Sequence, residues 1–132
     1  MSDPVFNKLT PMIPAGKDMT AALTFYEHTL GFTAAYKADD LGMVILRRGA
    51  VDIILQNIDD PHTASQTSLR IQIVGVDALF DEYQAQDIPP FQQGDGAGLG
   101  SLKATPWGTR EFAVRDLAGV CITLYENQPK SD

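Results

Sequence analysis

What most limits the folds open to this chain is a repeated order of elements. Phe6 to Pro14 is a short, mostly apolar stretch broken by Pro11 and Pro14. It reads as an edge strand, because proline cannot donate to a sheet ladder. Asp18 offers an N-cap. Met19, Ala22, Leu23, Tyr26 and Leu30 then recur at helical spacing, which predicts a helix with one buried stripe. Gly31 supplies the left-handed residue that ends it. Strands follow at Phe32–Tyr36, Met43–Leu46 and Val51–Gln56, with a turn at 47–50. The order then starts again. Leu69–Val74 is a strand, and Val76, Leu79, Phe80 and Tyr83 fall on a second helix. Residues 92–100 form a glycine-rich connection around a weak strand. Arg110–Val114 and Val120–Tyr125 are strands flanking a turn at 116–119.

Each half thus reads as strand, helix and three strands. The two hairpins match best, 46–57 against 114–127, differing by two turn residues. A unit of about 57 residues present in two copies is too long for a solenoid, so paired modules are expected. The predicted fold class is α+β. Two βαβββ modules with paired mixed sheets, at about 5–57 and 67–127, are joined by a polar linker at 58–66 and enclose a cleft between the sheets.

Composition sets further bounds. A chain of 132 residues with 44% hydrophobic content suits a single compact domain. Seventeen Asp and Glu against ten Lys and Arg give a charge of −7, which repels nucleic acid and anionic membranes. No apolar run approaches the ~20 residues needed to span a bilayer, and Met1-Ser2-Asp3-Pro4 lacks the pattern of a signal peptide. The lone Cys121 excludes an internal disulfide. A cytoplasmic protein with no nucleic-acid or membrane partner is expected.

Three segments resemble the glyoxalase/bleomycin resistance/dioxygenase, or vicinal oxygen chelate, superfamily. Asp18 to Phe32, ending Leu30-Gly31-Phe32, is similar to the family's first helix, and Val76 to Tyr83 to its second. Pro106-Trp107-Gly108-Thr109-Arg110-Glu111-Phe112, running on to Asp116-Leu117-Ala118-Gly119, resembles a stretch common in bleomycin-resistance-like members, with Leu117 where the family usually has proline. The resemblance implies the paired-module fold and a homodimer whose clefts are built from both subunits. It also implies four metal-ligand positions, two from each half. Counted along this sequence they fall at Pro11, Ile54, Ser68 and Thr123. None offers an imidazole or carboxylate, so no metal and no cofactor are expected. His28 reads as a solvated helix residue, His62 as a linker residue and Cys121 as structural. The glycine run at 94–100 fits neither a dinucleotide nor a phosphate loop.

Strand alternation then selects a cleft lining. Asp52, Ile54 and Gln56 share one face of their strand, and Cys121, Thr123 and Tyr125 one face of the last. Ser68, Arg70 and Gln72 turn the same way. Adding Trp107 as a flat stacking surface, the expected ligand residues are Asp52, Ile54, Gln56, Arg70, Trp107, Thr123 and Tyr125, with no catalytic residue assigned. Asp52 and Arg70 must be wet, pair with each other, or meet a charged ligand. The leading expectation is a metal-independent protein that sequesters a cationic or aromatic small molecule, an antibiotic of the bleomycin type or a related natural product. The rivals are a divergent glyoxalase-superfamily enzyme (lyase, isomerase or dioxygenase), with Asp52 or Tyr125 as acid or base, and a structural module with a collapsed cleft.

Overall fold

The computed structural model describes residues 3–91 and 96–129. Two mixed sheets carry the fold. In the first, β1 (Met12–Pro14), β4 (Val51–Gln56), β3 (Met43–Arg48) and β2 (Thr33–Lys37) lie side by side in that order. In the second the order is β5 (Ser68–Gln72), β9 (Cys121–Asn127), β8 (Thr109–Arg115) and β6 (Gly98–Leu99), with β7 (Lys103–Ala104) also on β8. Each sheet has one parallel pair, β1 with β4 and β5 with β9; the other pairs are antiparallel.

The helix stripe is as the spacing predicts: Met19, Ala22, Leu23, Tyr26 and Leu30 are all buried. Asp18 caps α1 (Met19–Thr24) by accepting from the Ala21 N–H at 3.0 Å. The helix then widens into a π-helical turn over Phe25–Thr29, where the Leu30 N–H donates to the Phe25 carbonyl at 3.0 Å. The extra residue in that turn brings Phe25 inward beside Tyr26. Gly31 follows at φ +80°, and a Cβ there would meet the Arg48 guanidinium at 2.6 Å. The positive φ is what favours glycine here, and any side chain would also have to displace the Arg48 guanidinium. On α3 (Val76–Gln84), Val76 and Tyr83 are buried while Leu79 and Phe80 pack against the core half-covered.

Three segments differ from expectation. The first strand begins at Met12 rather than Phe6. Pro11 has no N–H for the ladder, although its carbonyl accepts from Ile54 at 2.9 Å. Residues 3–11 therefore form an arm in which Val5, Phe6 and Leu9 are 77%, 100% and 89% exposed. The stretch expected as a linker carries α2 (Pro61–Ser65). Asp60 caps it through the Thr63 N–H at 3.0 Å, and Ala64 is buried. Asp-Pro here is an N-cap followed by proline at the first helical position, not a loop signal. The glycine-rich connection yields β6 at Gly98–Leu99, and β7 is a further short strand beyond the expected order; residues 92–95 lie outside the described residues.

Buried hydroxyls tie the halves together. The Tyr26 hydroxyl donates to Asp116 Oδ2 at 2.7 Å, while Asp116 Oδ1 accepts from the N–H groups of Ala118, Gly119 and Val120 at 3.0, 3.0 and 2.9 Å. The Tyr83 hydroxyl donates to the Leu30 carbonyl at 2.8 Å. Truncating Asp116 strands the Tyr26 hydroxyl and the N–H groups of Ala118 and Val120 in a dry turn, while the Gly119 N–H keeps the Asp116 backbone carbonyl at 3.1 Å. Asp116→Ala should lower the unfolding free energy by about 2 kcal/mol or more, and Tyr26→Phe by about 1 kcal/mol. Urea titrations at pH 7 check this; equal small losses for both variants would show that the turn is not held this way.

Candidate functional site

Each hairpin strand divides its residues between core and outer face. On β4, Ile53 and Leu55 are fully buried in the core; on β9, Ile122 and Leu124 are buried likewise. The alternate residues point to the opposite sheet faces. On the first sheet Ile54 lies between Met12 and Ile45, Gln56 between Pro14 and Met43, and Asp52 beside Arg47. On the second, Thr123 lies between Arg70 and Ala113, Tyr125 between Gln72 and Glu111, and Cys121 between Ser68 and Arg115.

Asp52 and Arg70 do not pair with each other. Asp52, only 8% exposed, accepts from Lys8 Nζ at 2.7 Å and from Arg47 at 2.8 and 3.1 Å. These two cations hold its carboxyl well below the usual carboxylate range. An acid or base for neutral pH needs the opposite shift, so Asp52 is poorly placed for that role. Arg70 instead forks onto Glu111, with both contacts at 3.2 Å, and its guanidinium sits 4.3 Å over the centre of the Tyr125 ring.

Glu111 is a further candidate on this face, outside the seven residues expected from the sequence. It is 7% exposed and accepts from the Thr109 hydroxyl at 2.6 Å. Its carboxyl is held low first by Arg70, with help from Thr109 and the Trp107 indole. The signal was present: Phe112 is a core position, so its neighbour Glu111 must face outward with Tyr125. Trp107 stands in the turn before β8 and is 66% exposed, so within one chain it is neither core nor enclosed. Cys121 is half-buried, and burial pushes its thiol up, away from the nucleophilic thiolate.

The register also shifts two of the candidate ligand positions. Met12, not Pro11, lies level with Ile54, and Arg70 rather than Ser68 lies level with Thr123. Methionine, isoleucine, arginine and threonine suit a divalent ion no better than the first set. Among the described residues no three His, Cys, Asp or Glu side chains gather as a metal site. The residues present do not fit the family's metal.

None of the seven expected ligand residues lines either prominent cavity. One, of about 670 Å³, lies among Ala15, Ala22, Pro61, Ala64, Arg115 and Ala118. The other, of about 420 Å³, lies among Phe32, Val51, Ile73, Leu79 and Tyr83. The expected residues instead occupy two sheet faces, with Asp52 ion-paired to Lys8 and Arg47 on the first and Arg70 ion-paired to Glu111 on the second.

The lowered carboxyls at Asp52 and Glu111 predict a pH dependence. A carboxyl whose folded pKa is depressed contributes stability that is complete above its unfolded value, 3.8 for Asp52 and 4.5 for Glu111, and is lost as pH falls through the folded value. Unfolding free energy should hold steady from pH 7 to about 5 and fall below that, more shallowly in Asp52→Asn. Urea titrations across that range check the slope; parallel acid limbs for the two proteins would contradict it.

The chain is similar to several solved structures of this shape. A bleomycin-binding protein from bleomycin-producing Streptomyces verticillus, complexed with copper(II)-bleomycin, is 26% identical with a TM-score of 0.80, covering 97% of this chain and 100% of its own. A bleomycin resistance determinant encoded on the transposon Tn5 is 23% identical with a TM-score of 0.80, covering 94% and 100%. A lactoylglutathione lyase from Agrobacterium tumefaciens shares the fold at 19% identity and a TM-score of 0.67, covering 93% and 95%. No curated protein sequence matches the chain. No helix among the described residues is long and apolar enough to cross a membrane. The family model for the Glyoxalase/Bleomycin resistance protein/Dioxygenase superfamily matches residues 12–124, nearly the whole chain, and the protein belongs to that superfamily.

Proposed function

We propose that the protein binds and sequesters a small, partly aromatic molecule of the bleomycin type or a related natural product, without a resident metal. The observation that carries this reading is the outer face of the second sheet. There Tyr125, Thr123 and the exposed Trp107 stand around a buried carboxylate, Glu111, with no metal-ligand set among them. The bleomycin-binding neighbours support the ligand class.

Two subunits are part of the proposal. The ligand faces of a single chain are open. The arm at 3–11 exposes Val5, Phe6 and Leu9 in succession, an apolar ridge that a second copy would cover. The first sheet's face, with Met12, Ile45, Ile54 and Tyr36, would then supply an apolar wall opposite the second sheet of a partner. Acidity is not concentrated here: Lys8, Arg47 and Arg70 already neutralise Asp52 and Glu111. Recognition therefore rests on ring surface and shape first, with charge as a contest against these resident cations.

Calorimetric titration with metal-free and copper-loaded bleomycin tests the ligand. Micromolar or tighter binding, at least ~8 kcal/mol, at one ligand per subunit is expected. Trp107→Ala should weaken it roughly three- to tenfold through lost stacking. No heat with either form would discard bleomycin as the ligand. Sedimentation tests the pairing: a dimer is expected, weakened in the double variant Phe6→Ser, Leu9→Ser, whereas a monomer at tens of micromolar would remove the two-subunit cleft.

A further inference from the structure

Arg70 is placed as a ligand would be. Its guanidinium forks onto both oxygens of Glu111 at 3.2 Å and lies 4.3 Å over the Tyr125 ring. Ring face below and carboxylate at the edge are what a planar cation seeks. The receiving groups do not depend on Arg70 for their positions. Glu111 is anchored from behind by the Thr109 hydroxyl at 2.6 Å, Thr109 in turn bonds the Thr105 hydroxyl at 2.8 Å, and the Tyr125 backbone is fixed opposite Glu111 in the ladder. Arg70 is the loosely held member. Its side chain is 46% exposed against 10% for Glu111, and it comes from β5, the edge strand of the sheet. Its two contacts are long for a charge-assisted pair. A sheltered, prearranged acceptor thus carries an exposed, exchangeable donor.

We propose that Glu111 and Tyr125 form a recognition site for a planar cationic group of the ligand (a guanidinium, amidinium or similar), and that Arg70 occupies this site as a resident stand-in which the ligand displaces. The inference rests on the sequestering function proposed above and adds the group that is recognised and the residue that competes for it. Displacement costs little in charge, because one cation replaces another on the same carboxylate. Arg70 can swing out to water from its edge strand. The device selects for ligands whose cation is joined to enough ring surface to outcompete a tethered guanidinium, and it rejects simple amines.

The test uses benzamidinium, a planar cation on a ring, followed by the fluorescence of Trp107, the single tryptophan of the chain. Trp107 lies four residues before Glu111 in the chain and helps hold that carboxyl low, so its fluorescence reports occupancy. Arg70→Ala should bind benzamidinium at least tenfold more tightly than the native protein, and Arg70→Met, which keeps an apolar stem, should do the same. Adding Glu111→Gln to either should abolish the gain. Circular dichroism and a urea titration establish that each variant is folded. Equal affinity in native protein and both Arg70 variants, or a gain that survives Glu111→Gln, would overturn the proposal. Failure is separable from that of the broader function. Bleomycin binding without any Arg70 effect on benzamidinium sinks only the stand-in, whereas an Arg70 effect without bleomycin binding leaves the stand-in and removes the drug.

Discussion

Asp116 is nearly inaccessible to water, and it survives there because each of its oxygens is spoken for. An unpartnered buried carboxylate costs several kcal/mol. This one accepts three backbone N–H groups from its own turn and the hydroxyl of Tyr26 from the first helix. The same helix ends at Leu30, whose carbonyl takes the Tyr83 hydroxyl from α3 and the Arg48 guanidinium at 2.8 Å. The helices of the two halves are thereby fixed to each other and to the β8–β9 turn. Once they cover one face of each sheet, the other faces are left for a ligand or a second subunit.

That division follows from the two-residue period of a strand. Ile53, Leu55, Ile122 and Leu124 serve the core, so Ile54, Thr123 and Tyr125 are displayed without any loop having to build the site. Placement on ladders gives the polar members fixed spacing: Glu111 stands directly opposite Tyr125, and Thr123 directly beside Arg70. The overall charge of −7 is a poor guide to this surface. Its two carboxylates are already matched by three basic side chains, so on the proposed reading close contact with ring faces, more than long-range attraction, selects the ligand.

The parts of the fold legible in the sequence were those with a local signature. The apolar stripe from Met19 to Leu30, the left-handed Gly31 and the alternation along β4 and β9 each follow from a few neighbouring residues, and the structure has them. Contacts across the chain had no such signature. Asp52 finds Lys8 from 44 residues away, and Arg70 finds Glu111 from 41 away, so the choice between self-pairing and other partners could not be made from spacing. The π turn at Phe25 hides inside an ordinary helical pattern. Asp60-Pro61 reads equally as a loop or as the start of α2. A single-residue register difference puts Met12 level with Ile54, in the place expected for Pro11, which joins the ladder only through its carbonyl.

The central claim is that ligand binds on the outer sheet faces, not in either cavity beside the helices. Backbone amide chemical shifts, mapped by NMR as bleomycin is added, test it most directly. The largest changes are expected at Arg70, Glu111, Thr123 and Tyr125, together with the Trp107 indole. Changes confined to Ala15, Ala22, Ala64 and Ala118, around the 670 Å³ cavity, would contradict it.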